Sequence, residues 1–180
     1  MNPITYSLCQ KPVIGVVMWI TSLCSFPPLI QDAPISLATA GAKISVAFQV
    51  PVNKRYGFDL AFDFPSPEAR SRDQIIGSRY DEHCHDPVTI GSIPELKREG
   101  LGRPIPFRVV ILRKSDRTVL IDKALTSLCS FAGSNNRKLR MIGGVDLARG
   151  KYIAEITNLE SQAGLESVKT SISLVAGHGK

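Results

Sequence analysis

The chain has 180 residues, of which 43% are hydrophobic, and this is enough for one domain with a buried core plus some peripheral segments. Lys and Arg outnumber Asp and Glu by 22 to 16, so the formal net charge is +6 and an acidic partner is favoured. The basic residues occur singly or in pairs such as Arg113-Lys114 and form no long basic run. We therefore expect no nucleic acid among the partners.

An uncharged, mostly apolar stretch from Val13 to Ile30 has the composition of the apolar region of a secretory signal peptide. The part of it that precedes Pro27-Pro28 is short for a membrane span. Further along, Ala38-Thr39-Ala40 has the small-x-small pattern that signal peptidase accepts. This pattern predicts a mature chain that starts near Gly41.

Two alternatives for the N-terminus stay open. One is lipoprotein processing at Cys24, where the preceding residues partly resemble a lipobox but Leu23 replaces the small residue expected before the cysteine. The other is a buried N-terminal helix. We favour export, with residues 1–40 as an export segment and residues 41–180 as a domain in the periplasm or anchored to the membrane of the cell envelope.

Alternating apolar and polar residues predict seven strands after residue 40. In the second strand, large apolar side chains lie on one face, whereas Asp59 and Asp63 lie on a face that is expected to meet water. We interpret these two carboxylates as solubilising rather than catalytic. The predicted strands are Lys43–Val52, Tyr56–Phe64, Phe107–Arg113, Thr118–Leu125, Arg137–Val145, Tyr152–Leu159 and Val168–Val175.

Residues 65–104 form an insertion between the second and third predicted strands. Ser66-Pro67-Glu68 is a typical helix start, with an N-cap, a proline in the first turn and an acid near the positive end of the helix dipole. The helix is predicted to run to Ile76 and to end at Gly77. A polar loop and one helical turn near 92–97 complete the insertion.

A tyrosine corner is predicted from Leu147, Gly150 and Tyr152, which lie at the start of the sixth predicted strand. Gly150 would take a positive φ in a tight turn, while the Tyr152 ring would pack inward with its hydroxyl on a nearby backbone group. Without the insertion, about 100 residues remain for seven strands, which is the size of an immunoglobulin-like domain. We therefore predict an all-β, immunoglobulin-like antiparallel sandwich with a helix-containing insertion.

The order of these features is similar to that of a bacterial family known only as a domain of unknown function. The resemblance covers about Ile44 to Val175 and implies a small exported or lipid-anchored envelope protein with an immunoglobulin-like sandwich. It implies no catalytic residue. The matching segments are the Tyr-x-Phe-x-Leu-x-Phe strand at Tyr56 to Phe62, Arg72 to Gly77, Gly102-x-Pro104-x-Pro106 and Leu147-x-x-Gly150-x-Tyr152.

Residues 81–86 place several potential metal ligands in one loop of the insertion. In an extended backbone His83 and His85 would point the same way and, with Cys84 or a carboxylate, would hold a transition metal such as zinc or copper. Spacing this tight seldom builds a closed site, and a polar surface loop is the interpretation that we favour. We therefore assign no metal and no other cofactor.

Cys84 and Cys129 are the cysteines left to pair with each other after either mode of N-terminal processing, since Cys24 would be either removed or acylated. In an oxidising compartment they would form a disulfide between the insertion and the loop after the hairpin that the third and fourth predicted strands form, and the alternative is two free thiols. No serine lies in a G-x-S-x-G motif and no glycine loop precedes a helix as in phosphate-binding loops. We expect a protein that is not an enzyme.

The function predicted from these features is binding of another macromolecule, either a protein or an acidic envelope component, through the insertion. An immunity-type or accessory protein is one specific version. A metal-binding periplasmic protein that uses His83, Cys84 and His85, and a structural component of the envelope, are the alternatives. The candidate partner-binding residues, taken to make the insertion basic, are Arg70, Arg72, Arg79, Lys97, Arg98 and Arg103.

Overall fold

A computed structural model describes Leu8 and residues 26–81, 84 and 93–176. Within these residues the chain is mostly β, with one short α-helix, and its strands form two antiparallel sheets. The prediction of an all-β, two-sheet architecture is confirmed at this level. The strands are β1 (Ile30–Pro34), β2 (Lys43–Val50), β3 (Lys54–Asp63), β4 (Ile105–Arg113), β5 (Val119–Ser127), β6 (Ser130–Ser134), β7 (Arg137–Leu147), β8 (Gly150–Asn158) and β9 (Lys169–Ala176).

The first sheet has the strand order β1-β9-β3-β7-β6, and the second has the order β2-β8-β4-β5. The inward side chains of both sheets form one hydrophobic core, because the pleat of a strand places every second side chain on the face that meets the other sheet. Tyr56, Phe58 and Phe62 of β3 face Phe107 and Ile111 of β4 from the other sheet, and all five are fully buried.

The described residues contain nine strands rather than the predicted seven, and the two additional ones lie at sheet edges. β1 belongs to the segment that was assigned to export, yet it pairs with β9 and its Ile30 is buried in the core together with Ile35 and Leu37. β6 occupies residues that the sequence analysis predicts to be a loop. The loop prediction follows from their Ser, Ala and Gly residues, which carry no strand pattern. It pairs with β7 on one side only.

β3 is buried on both faces, so the prediction of one wet face for this strand is wrong. It is the middle strand of the five-stranded sheet and pairs with β7 and β9 on its two sides. Asp59 is only 8% exposed and Ala61 is 2% exposed. Asp63, at the end of the strand, stays half-buried and lies 3.5 Å from Arg137.

The α-helix of the insertion, α1 (Pro67–Arg72), begins as predicted, since the Ser66 hydroxyl accepts a hydrogen bond from the Ala69 amide. It is shorter than predicted because the Asp73 carboxylate accepts the amides of Ile75 and Ile76, which takes these residues out of the helical pattern. The predicted helical turn is a one-turn 3₁₀ helix at Glu95–Lys97.

The corner before β8 is closed by Tyr152, which is 6% exposed and donates its hydroxyl proton to the Ala148 carbonyl over 2.9 Å. Gly150 does not have the positive φ expected of it, since it is already part of β8. A Cβ at Gly150 would lie 2.9 Å from Tyr152 Oη, so glycine is required here by the ring that covers it. Tyr56 makes an equivalent bond to the Val52 carbonyl at 2.9 Å, which the sequence did not indicate.

Because the Tyr152 ring and Gly150 share one space, their substitutions should be coupled. We expect Tyr152→Phe to lower the free energy of unfolding by about 1 kcal/mol, through loss of the bond to Ala148. Gly150→Ala should lower the free energy of unfolding more in the parent protein than in the Tyr152→Phe variant. In that variant the Tyr152 hydroxyl oxygen, which is the atom nearest to the added Cβ, is absent. Urea unfolding of the four variants of this cycle measures the coupling, and equal alanine costs in both backgrounds would contradict it.

Candidate functional site

The insertion connects the end of β3 to the start of β4 and is held to the sandwich by several buried contacts. The Ile76 side chain is fully buried and belongs to the main core. Leu101 and Ile93 pack with Leu128 in a second small cluster that also contains both cysteines of the described residues. The described part of the insertion is therefore folded onto the sandwich.

Arg140 on β7 is the main anchor of the insertion. Its side chain is fully buried, and Nε donates to the Ile76 carbonyl at 2.9 Å while Nη1 donates to the Arg103 carbonyl at 2.7 Å. Nη2 also donates to the Ile76 carbonyl and, at 3.2 Å, to that of Ile75. One guanidinium thus binds the two ends of the insertion together, because its planar set of donors can serve several carbonyls at once.

Burial disfavours the charged form of Arg140 and lowers its pKa to about 9, while the nearby Asp73 carboxylate acts in the opposite direction. The guanidinium is still protonated at neutral pH, so a charge is kept inside the protein. The carbonyl dipoles and the face of Phe62, whose ring centre is 5.7 Å away, replace the water that this charge has lost.

Gly102 allows the insertion to approach this guanidinium. It has φ +83, and a Cβ built on it would lie 2.2 Å from Arg140 Nη2 and 2.4 Å from the Ile76 carbonyl oxygen. Any side chain would therefore displace Arg140 and strain the backbone as well. This gives a structural reason for the glycine in the Gly-x-Pro-x-Pro segment that leads into β4.

A buried ion pair lies beside Arg140, since Lys138 is two residues away on the same face of β7. Lys138 Nζ is 2.7 Å from Asp73 Oδ2, and the two side chains are 6% and 5% exposed. The Phe64 ring centre lies 5.6 Å from the same ammonium group. The Asp73 carboxylate thus connects the end of α1 to the sheet, because it accepts the Ile76 amide on one side and the Lys138 ammonium group on the other.

The structure joins Cys84 of the insertion to Cys129, just before β6, with Cα atoms 5.7 Å apart. The 45-residue separation corresponds to a stabilisation of about 4 kcal/mol from the loop closed in the unfolded chain. A disulfide sulfur is not a thiolate, so Cys84 is unsuited to hold a metal in this state. His83 and His85 lie outside the described residues, and the described part of the chain contains no group of three potential metal ligands.

Three of the six predicted partner-binding cations bond to backbone carbonyls of the protein, two of them within the insertion and the third between the insertion and the segment that joins β8 to β9. Arg79 Nη2 donates to the Lys97 carbonyl at 2.8 Å, and Arg98 Nε donates to the Ile93 carbonyl at 2.7 Å. Arg103 Nη1 donates to the Ala163 carbonyl at 2.9 Å. These bonds fix the guanidinium groups in place, although all three side chains still reach the surface.

The other predicted cations differ in exposure. Arg72, in the last turn of α1, and Lys97, in the 3₁₀ helix, are exposed, whereas Arg70 is half-buried. Arg79, Lys97 and Arg98 thus meet at the 3₁₀ helix, whereas Arg70 and Arg72 belong to α1 and Arg103 bonds to Ala163.

The prediction that the insertion is basic is wrong, because it counted only one sign of charge. Its six Lys and Arg residues are accompanied by seven acidic ones. Residues 105–151, by contrast, hold ten Lys or Arg and three Asp, and so carry the excess positive charge of the chain. The acidic residues of the insertion are Glu68, Asp73, Asp81, Glu82, Asp86, Glu95 and Glu99.

Two large apolar side chains of the insertion are exposed. Leu96 in the 3₁₀ helix is 95% exposed and Tyr80 is 51% exposed. The backbone on both sides of the 3₁₀ helix is held by hydrogen bonds, because Arg98 donates to the Ile93 carbonyl before it and Arg79 donates to the Lys97 carbonyl at its end. An exposed leucine on a fixed backbone, with Lys97 beside it, is a surface suited to contact with another macromolecule.

No role was predicted for Lys138 and Arg140 from the sequence, although the sequence contains a signal for their burial. In the run Arg137 to Leu147 the residues Lys138, Arg140 and Ile142 occupy one face of the strand, and this face is buried. A cation at an inward position of a strand predicts a buried partner. The partners named above lie between 37 and 65 residues earlier, which the pattern of a single strand does not reveal.

The structure defines a two-sheet antiparallel β-sandwich whose third and fourth strands are linked by an anchored insertion. The chain belongs to a family described as a domain of unknown function, DUF5625, which matches residues 32–176. The match begins inside β1 and ends with β9, so it includes the whole described sandwich apart from its first two strand residues.

A crystal structure of a protein from Sulfurospirillum deleyianum has a similar fold, with a TM-score of 0.60 and 20% sequence identity. The similarity covers 85% of this chain and 100% of that one. No curated protein matches the chain. Within the described residues, no helix is both long and apolar enough to cross a membrane.

We expect Arg140→Met to lower the free energy of unfolding by about 3 kcal/mol or more. The buried carbonyls of Ile76 and Arg103 lose their hydrogen-bond donor, and methionine supplies no other donor in its place. Arg108→Met is the matched control, since Arg108 forms an exposed pair with Asp122 at 2.6 Å. This control should lower the free energy of unfolding much less, because the pair is exposed to solvent. Urea unfolding compares the two, and similar losses would show that Arg140 is not an anchor.

Proposed function

We propose that this protein is a non-enzymatic, exported protein of the bacterial cell envelope that binds another macromolecule through the insertion. The observation that carries the proposal is the fixed, exposed surface around Leu96, which we call the Leu96 surface and define as Tyr80, Leu96 and Lys97. A partner that presents an apolar pocket with an acidic rim would match these side chains. The six cations and seven acids of the insertion make shape and apolar contact more important for this site than net charge.

The anchoring of the insertion supports a binding role. A loop that is already ordered loses little conformational entropy when a partner docks, so more of the contact energy appears as affinity. Arg140, the Lys138–Asp73 pair and the disulfide all act on the side of the insertion that faces the sandwich. Leu96 and Lys97 are exposed at the surface, where a partner can contact them.

The finer parts of the proposal are the type of sandwich and the role in the cell. The two-sheet architecture and the Tyr152 corner support an immunoglobulin-like domain, in which loops at the ends of the sheets commonly bind partners. An immunity-type or accessory protein, which acts by contact alone, is the version of this function that suits a small sandwich without an assigned catalytic residue.

For the export segment, β1 favours processing at Cys24 over cleavage after Ala40. Cleavage after Ala40 would remove β1 together with the buried Ile35 and Leu37. It would also take away the Leu37 and Thr39 carbonyls, to which the buried Asn158 amide donates. Processing at Cys24 keeps all of these contacts and would place a lipid anchor a few residues before the sandwich.

The mature N-terminus tests this choice. We expect the chain recovered from the envelope of its host to begin at or before Phe26, because the sandwich needs residues from Ile30 onward. Intact-mass and N-terminal peptide analysis measure the start, and a diacyl or triacyl mass increment on Cys24 would identify the anchor. A stable mature chain that starts at Gly41 would contradict the expectation.

A photo-crosslinking residue at position 96 tests the Leu96 surface. We expect it to give one dominant adduct in the native envelope, and we expect Lys97→Glu to reduce its yield by about fivefold or more, because it reverses a charge within the surface. A crosslinker at position 120 is the matched control, since Leu120 is 41% exposed but lies on β5.

The adduct at position 96 should be absent from the control at position 120. Equal labelling from the two positions, or an adduct that Lys97→Glu leaves unchanged, would contradict binding through this surface. It would favour a structural role for the protein in the envelope.

A further inference from the structure

A second candidate site lies at the opposite end of the sandwich from the insertion. It is a cavity of about 370 Å³ between the turn of the β4–β5 hairpin and the corner that leads into β8. β4 starts at the insertion and ends at this cavity, so about 26 Å separates the two sites along the strand. The cavity is lined by Arg113, Lys114, Ser115, Arg149, Gly150, Lys151 and Tyr152.

The backbone around the cavity is fixed by hydrogen bonds. Arg113 pairs with Tyr152 across the β4–β8 ladder, and the Lys114 amide donates to the Lys151 carbonyl at 2.9 Å. On the other side, the Arg149 amide donates to Asn53 Oδ1 at 2.7 Å. The cationic side chains of the hairpin turn and of the corner are therefore presented from two rigid segments.

The charge around the cavity is unbalanced. Among its four cations, Arg113 has a carboxylate neighbour, Asp116, at 3.1 Å. The Thr118 amide and Arg113 lower the pKa of Asp116, so this carboxylate is ionised at neutral pH. In the described part of the chain, Lys114, Arg149 and Lys151 have no carboxylate within 4 Å, although all three are exposed.

Three other cations at the same sheet do have carboxylate partners. Arg108 forms a two-bond pair with Asp122 at 2.8 and 2.6 Å. Glu155 is shared between Lys43, at 2.7 Å, and Arg117, at 3.6 Å. Three cations without a carboxylate neighbour thus line one cavity, where like charges repel one another unless an anion binds.

We propose that this cavity binds the phosphate group of an anionic ligand. A phosphate offers several charged oxygens in a tetrahedral arrangement, which suits cations that approach from two segments, and the Ser115 hydroxyl supplies a neutral donor. The volume is sufficient for such a group with part of the molecule that carries it. The same chemistry occurs in a soluble phosphorylated compound and in a phospholipid headgroup.

Calorimetric titration with inorganic pyrophosphate, and sedimentation with phosphatidylglycerol or phosphatidylcholine vesicles, test the proposal on the full chain. We expect saturable binding of pyrophosphate, of phosphatidylglycerol vesicles, or of both, with a pyrophosphate dissociation constant below about 1 mM. Binding that is limited to phosphatidylglycerol vesicles would identify a lipid headgroup as the ligand. Binding of pyrophosphate alone would identify a soluble compound.

Arg149→Gln combined with Lys151→Gln should weaken this binding at least tenfold, because charge-assisted hydrogen bonds are lost. Arg72→Gln combined with Lys123→Gln removes the same charge at exposed positions outside the cavity and should change binding less than twofold. Asp116→Asn should strengthen binding severalfold, since Arg113 then has no competing carboxylate.

Circular dichroism and melting curves check that the variants remain folded, and all the positions changed are exposed. Failure of the parent protein to bind either probe would overturn the proposal. So would equal weakening by the two double variants, because it would show that net charge alone attracts the anion. Neither outcome bears on the Leu96 surface.

Discussion

The buried guanidinium of Arg140 binds backbone carbonyls at both ends of the insertion, and the position of the insertion depends on this contact. A charge inside a protein is costly unless polar groups surround it. Here the carbonyls of Ile76 and Arg103 and the ring of Phe62 perform that role. The requirement is mutual, since the carbonyls also need the donor. The sandwich and the insertion therefore stabilise each other.

The molecule presents two chemically different ends, which follow from how charge is distributed along the chain. At one end the insertion has nearly balanced charges and exposes Leu96 on a fixed backbone. At the other end the hairpin turn and the Tyr152 corner bring together cations with too few carboxylates. A small sandwich can therefore present a surface for a macromolecule and a site for an anion at opposite ends. The length of the strands keeps the ligands of the two sites apart.

The strands with clear alternation could be predicted from the sequence, and so could the helix start at Ser66, whose hydroxyl has a local backbone partner. β1 could not, since it gains its order from β9 near the other end of the chain. β6 pairs with β7, which follows it directly, but its Ser, Ala and Gly residues carry no strand pattern. The burial of Asp59 was missed because alternation within one strand does not reveal how many strands flank it.

The candidate sites were less predictable than the fold. Arg79, Arg98 and Arg103 were assigned to a partner, yet the structure shows that they bond to carbonyls of the protein itself. A basic side chain looks the same in a sequence whether it faces a partner or its own backbone. The cavity cations were visible only as scattered pairs, because the turn and the corner that unite them are far apart in sequence.

The order in which the anchors occur along the chain has a consequence for synthesis. The insertion leaves the ribosome well before Cys129, Lys138 and Arg140, and Cys129 comes first of these three. During that interval Ile76 and Asp73 have neither their cationic partners nor their place in the sandwich. The insertion of the nascent chain is therefore unanchored until β7 has been synthesised. A chaperone that binds exposed chain segments would act on this protein during that interval.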